Sequence, residues 1–146
     1  MLWAALRFPD LSLQLYLRGA ASCGPAIVQE AGLRPRVLSC NEAAAKAGIQ
    51  PGMLVSAAYA LTPGFNLCTA DPAKEAKALA GIASWATQFT PTLSLAASNE
   101  VLVEISGCLR LFGGLRALSG RIRAGLAELG YRAIVAAAPT PGAALL

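Results

Sequence analysis

Histidine is absent from all 146 residues. Imidazole general bases, histidine-containing triads and histidine-bearing zinc sites are thereby excluded. Cysteine is scarce: Cys23, Cys40, Cys68 and Cys108 stand apart, with no C-x-x-C pair to hold zinc or run redox chemistry. Buried, reduced thiols are the expectation for them. Charge is sparse, at 14% of residues against 55% hydrophobic ones, the reverse of a disordered chain. The charge-free residues 133–146 are too few to span a bilayer and contain Pro139 and Pro141. Met1 to Arg7 put no basic region ahead of their apolar run and are too short for a signal peptide. A soluble, cytoplasmic protein with no membrane partner is expected.

Twelve basic and eight acidic residues leave a net charge of only +4, so the total does not establish a nucleic-acid partner. Distribution says more. Arg110, Arg116, Arg121, Arg123 and Arg132 crowd one segment in which Glu128 is the only acidic residue. That segment reads either as a solvated helix face or as a phosphate-facing patch.

Punctuation along the chain predicts its elements. Leu2 to Phe8 has the length and apolarity of a buried strand. Asp10 is placed to cap a helix from Leu11, with Leu11, Leu15 and Leu17 on its apolar face and Gly19 as its stop. Short strands are expected at 25–28 and 36–40 around a turn at 30–35. Asn41 is an N-cap candidate for a helix over Glu42–Ala47, which Gly48 ends. A helix at 54–61 and a strand at 65–69 follow. Asp71-Pro72 opens a longer helix carrying Ala76, Leu79, Ile82, Ala83 and Ala86 at helical spacing. Strands at 92–97 and 101–106 flank a hairpin turn, Ser98-Asn99-Glu100. Gly113-Gly114 breaks the chain before a helix faced by Leu115, Leu118, Ile122, Leu126 and Leu129. A last strand is expected over Tyr131–Ala138, with a helix beginning after Pro139-Thr140-Pro141. Trp3, Trp85, Phe89 and Phe112 are expected in the core. Leaving out residues 11–70, the order is strand, helix, strand, strand, helix, strand. The predicted fold class is α+β: a ferredoxin-like, split βαβ domain with a small insertion after the first strand.

Several local words resemble the Y-family, or translesion, DNA polymerases. Cys40-Asn41-Glu42-Ala43-Ala44-Ala45-Lys46-Ala47-Gly48-Ile49 is similar to that family's C-N-Y-E-A-R-x-x-G-[VI] fingers segment. Phe89-Thr90-Pro91 followed by Asn99-Glu100-Val101-Leu102-Val103-Glu104-Ile105-Ser106 is similar to its S-P-x-x-x-x-S-[IV]-D-E-x-[YFL]-[LV]-D-[IV] stretch. Arg7-Phe8-Pro9-Asp10-Leu11, Gln88-Phe89-Thr90-Pro91, Leu109-Arg110-Leu111-Phe112-Gly113-Gly114 and Ala138-Pro139-Thr140-Pro141 resemble the ImuB branch, whose members look like polymerases with dismantled active sites. The resemblance implies a palm over residues 1–10 and 71–146 and a fingers-like insertion over 11–70. Thumb and little finger are missing, so a fragment or a truncated reading frame is expected.

Nucleotidyl transfer on this fold uses two divalent ions held by carboxylates. The resemblance implies one Asp from the first strand and an Asp-Glu pair from the central hairpin. Aligned without gaps, those positions are Arg7, Asn99 and Glu100, so one ligand of three survives. A guanidinium about 4 Å from a divalent ion is repelled by roughly 8 kcal/mol at an effective dielectric near 20. The nucleotide-binding positions are degenerate in the same way. Glu42 replaces a triphosphate-contacting Tyr, Ala45 an Arg, and Ser12 the bulky aromatic that excludes a ribose hydroxyl. Residues 139–142 replace a lysine-bearing helix start.

No metal and no cofactor are therefore expected. The resemblance implies a non-catalytic accessory protein of DNA repair and damage-induced mutagenesis. Its implied partners are DNA (a weak contact with damaged template through Arg116, Arg121 and Arg123), an ImuA-like RecA-type protein and an error-prone replicative-type polymerase subunit. A sliding clamp would be met through a region outside this chain. Two alternatives stand beside it. One is a weakened translesion polymerase whose metal site uses Glu100, Glu104 and Asp10. The other is a ferredoxin-like interaction module unrelated to DNA.

Overall fold

A computed structural model describes residues 1–18, 24–96 and 99–146. The chain begins β1 (Trp3–Arg7), α1 (Leu11–Arg18), β2 (Ala26–Gln29) and β3 (Val37–Cys40). It continues through α2 (Glu42–Lys46), α3 (Val55–Leu61), β4 (Asn66–Thr69) and α4 (Pro72–Ala86). Then come β5 (Leu93–Ala96), β6 (Glu100–Glu104), α5 (Leu109–Phe112), α6 (Leu115–Glu128), β7 (Ile134–Ala138) and α7 (Pro141–Ala144). Two compact units result, one of Met1–Pro9 with Ala73–Leu146, the other of Asp10–Pro72.

The first unit holds a four-stranded sheet in the order β5-β6-β1-β7, antiparallel at every pairing. With α4 and α6 as its long helices, this is the ferredoxin-like split βαβ plan. Period-two alternation divides β1 between two faces. Ala4, Leu6 and Phe8 point one way, and Leu6 and Phe8 are fully buried. Leu79, Ile82 and Ala86 of α4 and Leu118, Ile122 and Leu126 of α6 are the buried stripes of the two helices. On the other face Ala5 and Leu102 pack with Ala144 of α7, beside half-buried Trp3, Ala138 and Leu145.

The second unit holds a three-stranded sheet, β3-β2-β4, with β2 antiparallel to β3 and parallel to β4. Ile27, Val37, Ala44, Ile49, Val55 and Ala58 form its core. Asn41 caps α2 as expected and does more. Its Oδ1 accepts from the N–H groups of Ala44 and Ala26, both at 3.0 Å, and its Nδ2 donates to the Gly24 carbonyl at 2.9 Å. One amide thus ties the helix start to β2, using donors and acceptors the backbone would otherwise leave open.

Some expectations shift. Asp10 sits at φ +51, in the left-handed region and outside the extended geometry of an N-cap, although its carbonyl accepts the Gln14 N–H at 2.9 Å. The expected strand over 131–138 begins only at Ile134, because Tyr131 is buried edge-on to Phe8 at 6.0 Å. Residues 106–112 turn helical, as a 3-10 turn over Ser106–Cys108 and then α5. Gly113 at φ +83 reverses the chain there, a conformation side chains resist. The expected helix stop at Gly19, the thiol of Cys23 and the turn residue Ser98 lie outside the described residues. Cys40, Cys68 and Cys108 carry free thiols, but Cys40 and Cys68 are only half-buried. Burial pushes the Cys40 and Cys108 thiols up. Among the described residues no helix is long and apolar enough to cross a membrane.

Candidate functional site

Arg7 ends β1 on the face shared by Trp3 and Ala5, directly opposite Glu100 of β6 in the antiparallel register. Its Nε lies 2.5 Å from Glu100 Oε1. Its Nη2 donates to the Leu145 carbonyl, also at 2.5 Å, at the C-terminal end of α7. Glu100 is 12% exposed and Arg7 44% at the side chain, so the carboxylate is the sheltered partner. A planar fork suits this double engagement; an ammonium has no second arm in fixed geometry. Asn99 precedes Glu100 at φ +69, where Asn is tolerated, and its carbonyl accepts the Phe8 N–H at 2.9 Å. Arg7, Asn99 and Glu100, singled out from sequence, are thus gathered at one end of the β1–β6 pair. The helix after Thr140, capped by its hydroxyl on the Ala143 N–H, was expected, but the α7 contact was not legible because Arg7 and Leu145 are 138 residues apart.

As a cradle for divalent ions the donor set does not fit. The surviving carboxylate is engaged by a guanidinium, and the residue before it is a neutral amide. Among the described residues no three His, Cys, Asp or Glu side chains lie together. Glu104 stands four residues from Glu100 on the same strand, about 13 Å along it at the usual rise. Glu104 Oε1 accepts from both the N–H and the hydroxyl of Ser106, and these bonds hold its carboxyl below the usual range.

The Arg7–Glu100 pair has a measurable consequence. A double-mutant cycle with Arg7→Gln and Glu100→Gln should return about 1 kcal/mol of coupling in urea unfolding. Arg7→Lys should recover only part of it. Coupling indistinguishable from zero would make the pair a surface contact without energetic weight.

The degenerate nucleotide-site positions lie in the second unit. Ser12 is on α1, and Glu42 and Ala45 are on α2. Glu42 is exposed and 3.4 Å from Lys46, an i,i+4 helix pair. Ala45 offers no polar group where the resemblance implies an arginine.

The α6 arginines separate. At 100° per residue Arg116 and Arg123 share one side of the helix, and Arg121 falls roughly 140–160° away from them. Arg121 lies over the Phe112 ring, 5.3 Å from its centroid. Phe112 is 5.3 Å from Phe89, which is 5.3 Å from Trp85, each pair edge-to-face. These three rings are only half-buried and line an open cleft, a correction to their expected place in the core. Alternation along the chain does not separate a core aromatic from a cleft aromatic.

The fold is shared with Y-family DNA polymerases. It superposes on a post-insertion binary complex of Dbh DNA polymerase with a TM-score of 0.78 at 18% identity, covering 96% of this chain and 42% of that one. DinB from Sulfolobus solfataricus matches with a TM-score of 0.73, also at 18% identity and with the same coverage of both chains. The chain belongs to the impB/mucB/samB family, which matches residues 21–146. Protein ImuB of Caulobacter vibrioides is 32% identical over 97 residues, 66% of this chain. The chain spans about a fifth of that relative's length (21%).

Proposed function

We propose that this chain is a non-catalytic, polymerase-like accessory protein in DNA repair and damage-induced mutagenesis. Residues 1–10 and 71–146 serve as its palm and 11–70 as its fingers. It acts as an adaptor for an error-prone replicative-type polymerase subunit, an ImuA-like RecA-type protein and a sliding clamp, the last through a region outside this chain. Arg116 and Arg123, on one side of α6, make weak contact with damaged template, while Arg121 is drawn to the aromatic cleft. Family membership and the likeness to protein ImuB support the pathway. The observation that carries the loss of catalysis is the ion pair of Arg7 with Glu100. It sets a fixed monovalent cation beside the one carboxylate that the family pattern leaves.

Primer extension with the full-length protein tests this reading. Incorporation on a primed template in magnesium or manganese should not exceed the protein-free blank, and Glu100→Ala should change nothing. Manganese titration followed by electron paramagnetic resonance adds a readout independent of turnover. The double variant Arg7→Asp/Asn99→Asp should gain a bound-ion signal that the parent lacks. Metal-dependent incorporation by the parent, lost in Glu100→Ala, would establish an active polymerase instead.

A further inference from the structure

The cleft between the end of α4 and the outer side of α6 encloses about 370 Å³, near the small end of the roughly 300–1,000 Å³ seen in binding clefts. Trp85, Phe89 and Phe112 form its aromatic floor, and Gln88 also lines it. Its depth depends on Gly125: a Cβ there would lie 2.5 Å from Trp85 Cζ2, so the indole rests directly on the α6 backbone. Arg121 and Glu128 line the same cleft seven residues apart, about 10 Å along the helix. The cleft therefore has a positive end, a negative end and an aromatic floor between them. Leu111, the residue before Phe112, is 80% exposed.

Aromatic side chains and an arginine around a concave surface are the composition of protein–protein anchor sites. A nucleic-acid strand suits the cleft poorly. Its rings meet edge-to-face, at 71° and 61°, and do not present parallel platforms for successive bases. Glu128 would also face the phosphates. The charges select a complementary segment.

We propose that this cleft docks an amphipathic segment of a partner protein. One bulky apolar side chain of that segment seats against Trp85, Phe89 and Phe112. An acidic residue on one side of it meets Arg121, and a basic residue on the other meets Glu128. The surface lies apart from the Arg7 site, and its use does not depend on whether that site turns over nucleotides.

The probe is a randomised 12-residue phage-displayed library panned on the full-length protein, with the enriched peptides then synthesised and titrated. Enriched sequences should carry an apolar anchor between one acidic and one basic residue. Ala124→Trp, a substitution at an exposed position lining the cleft, should weaken them at least tenfold. The charge-exchanged variant Arg121→Glu/Glu128→Arg should weaken them similarly and select peptides with the two charges in reverse order. All three residues are exposed, so thermal melts of the variants should match the parent. The proposal is overturned if enriched peptides lack the charge pattern, if Ala124→Trp leaves their binding unchanged, or if panning enriches nothing beyond the Ala124→Trp control. It is equally overturned if a 12-residue oligothymidine binds the cleft, with salt-sensitive quenching that Ala124→Trp abolishes.

Discussion

Phe8→Ala should remove about 3–5 kcal/mol of folding stability, the usual cost of deleting a fully buried aromatic ring. Phe8 has no exposed surface and meets Tyr131 edge-on, with the ring planes at 75°. A loss of that size is a large part of the 5–15 kcal/mol that holds a typical domain folded. Urea unfolding should show a lower midpoint, and a thermal melt should fall by more than about 10 °C. The site should feel the change as well, because Phe8 follows Arg7 and its N–H holds the Asn99 carbonyl. Leu111→Ala, at a side chain 80% exposed, is the matched control and should be close to neutral. A Phe8→Ala loss below about 1.5 kcal/mol would mean the ring is not packed as described.

Two alanine substitutions in one helix should act with opposite sign. Gly120 and Gly125 both lie in α6, where replacing glycine by alanine is worth up to about 1 kcal/mol from backbone entropy alone. At Gly120 a Cβ meets nothing within 4 Å, so Gly120→Ala should stabilise by roughly 0.4–1 kcal/mol. At Gly125 the Cβ would lie 2.5 Å from Trp85 Cζ2 and 3.3 Å from Cη2. The indole is rigid and already packed against Phe89, so it must move as a body. Overpacking of this kind costs about 1–3 kcal/mol, which outweighs the helix gain. Gly125→Ala should therefore melt below the parent and Gly120→Ala above it. Trp85 emission should shift in the first and stay fixed in the second. Equal stabilisation by both would remove the close approach of Trp85 to α6.

Much of the local structure was legible because it depends on near neighbours. Asn41 three residues before Ala44 defines an N-cap, and α4 begins at Pro72 as Asp71-Pro72 implies. The apolar stripe Leu118, Ile122, Leu126 needs only the helical period. Errors fell where a longer-range demand outweighed a local pattern. Tyr131 to Ala133 read as strand, but the Tyr131 ring is taken by Phe8 from the other end of the chain. Gly113-Gly114 read as a break, but the residues before it close into α5, a short helix whose existence no periodicity announces. Trp85, Phe89 and Phe112 carried a hydrophobic signal that does not distinguish burial in a core from the lining of a cleft.

By itself the sequence determined the order of the strands and long helices, the α+β class and the family pattern, since each rests on residue types at fixed spacing. It also named Arg7, Asn99 and Glu100 as departures from that pattern. Only the tertiary structure decided that Arg7 grips Glu100 and the end of α7 together, because that contact joins residues about ninety and then nearly one hundred and forty positions apart. It also decided that Arg121 lies over Phe112 at an aromatic cleft. Long-range proximity follows from how strands and helices pack, and no local spacing in the chain encodes it.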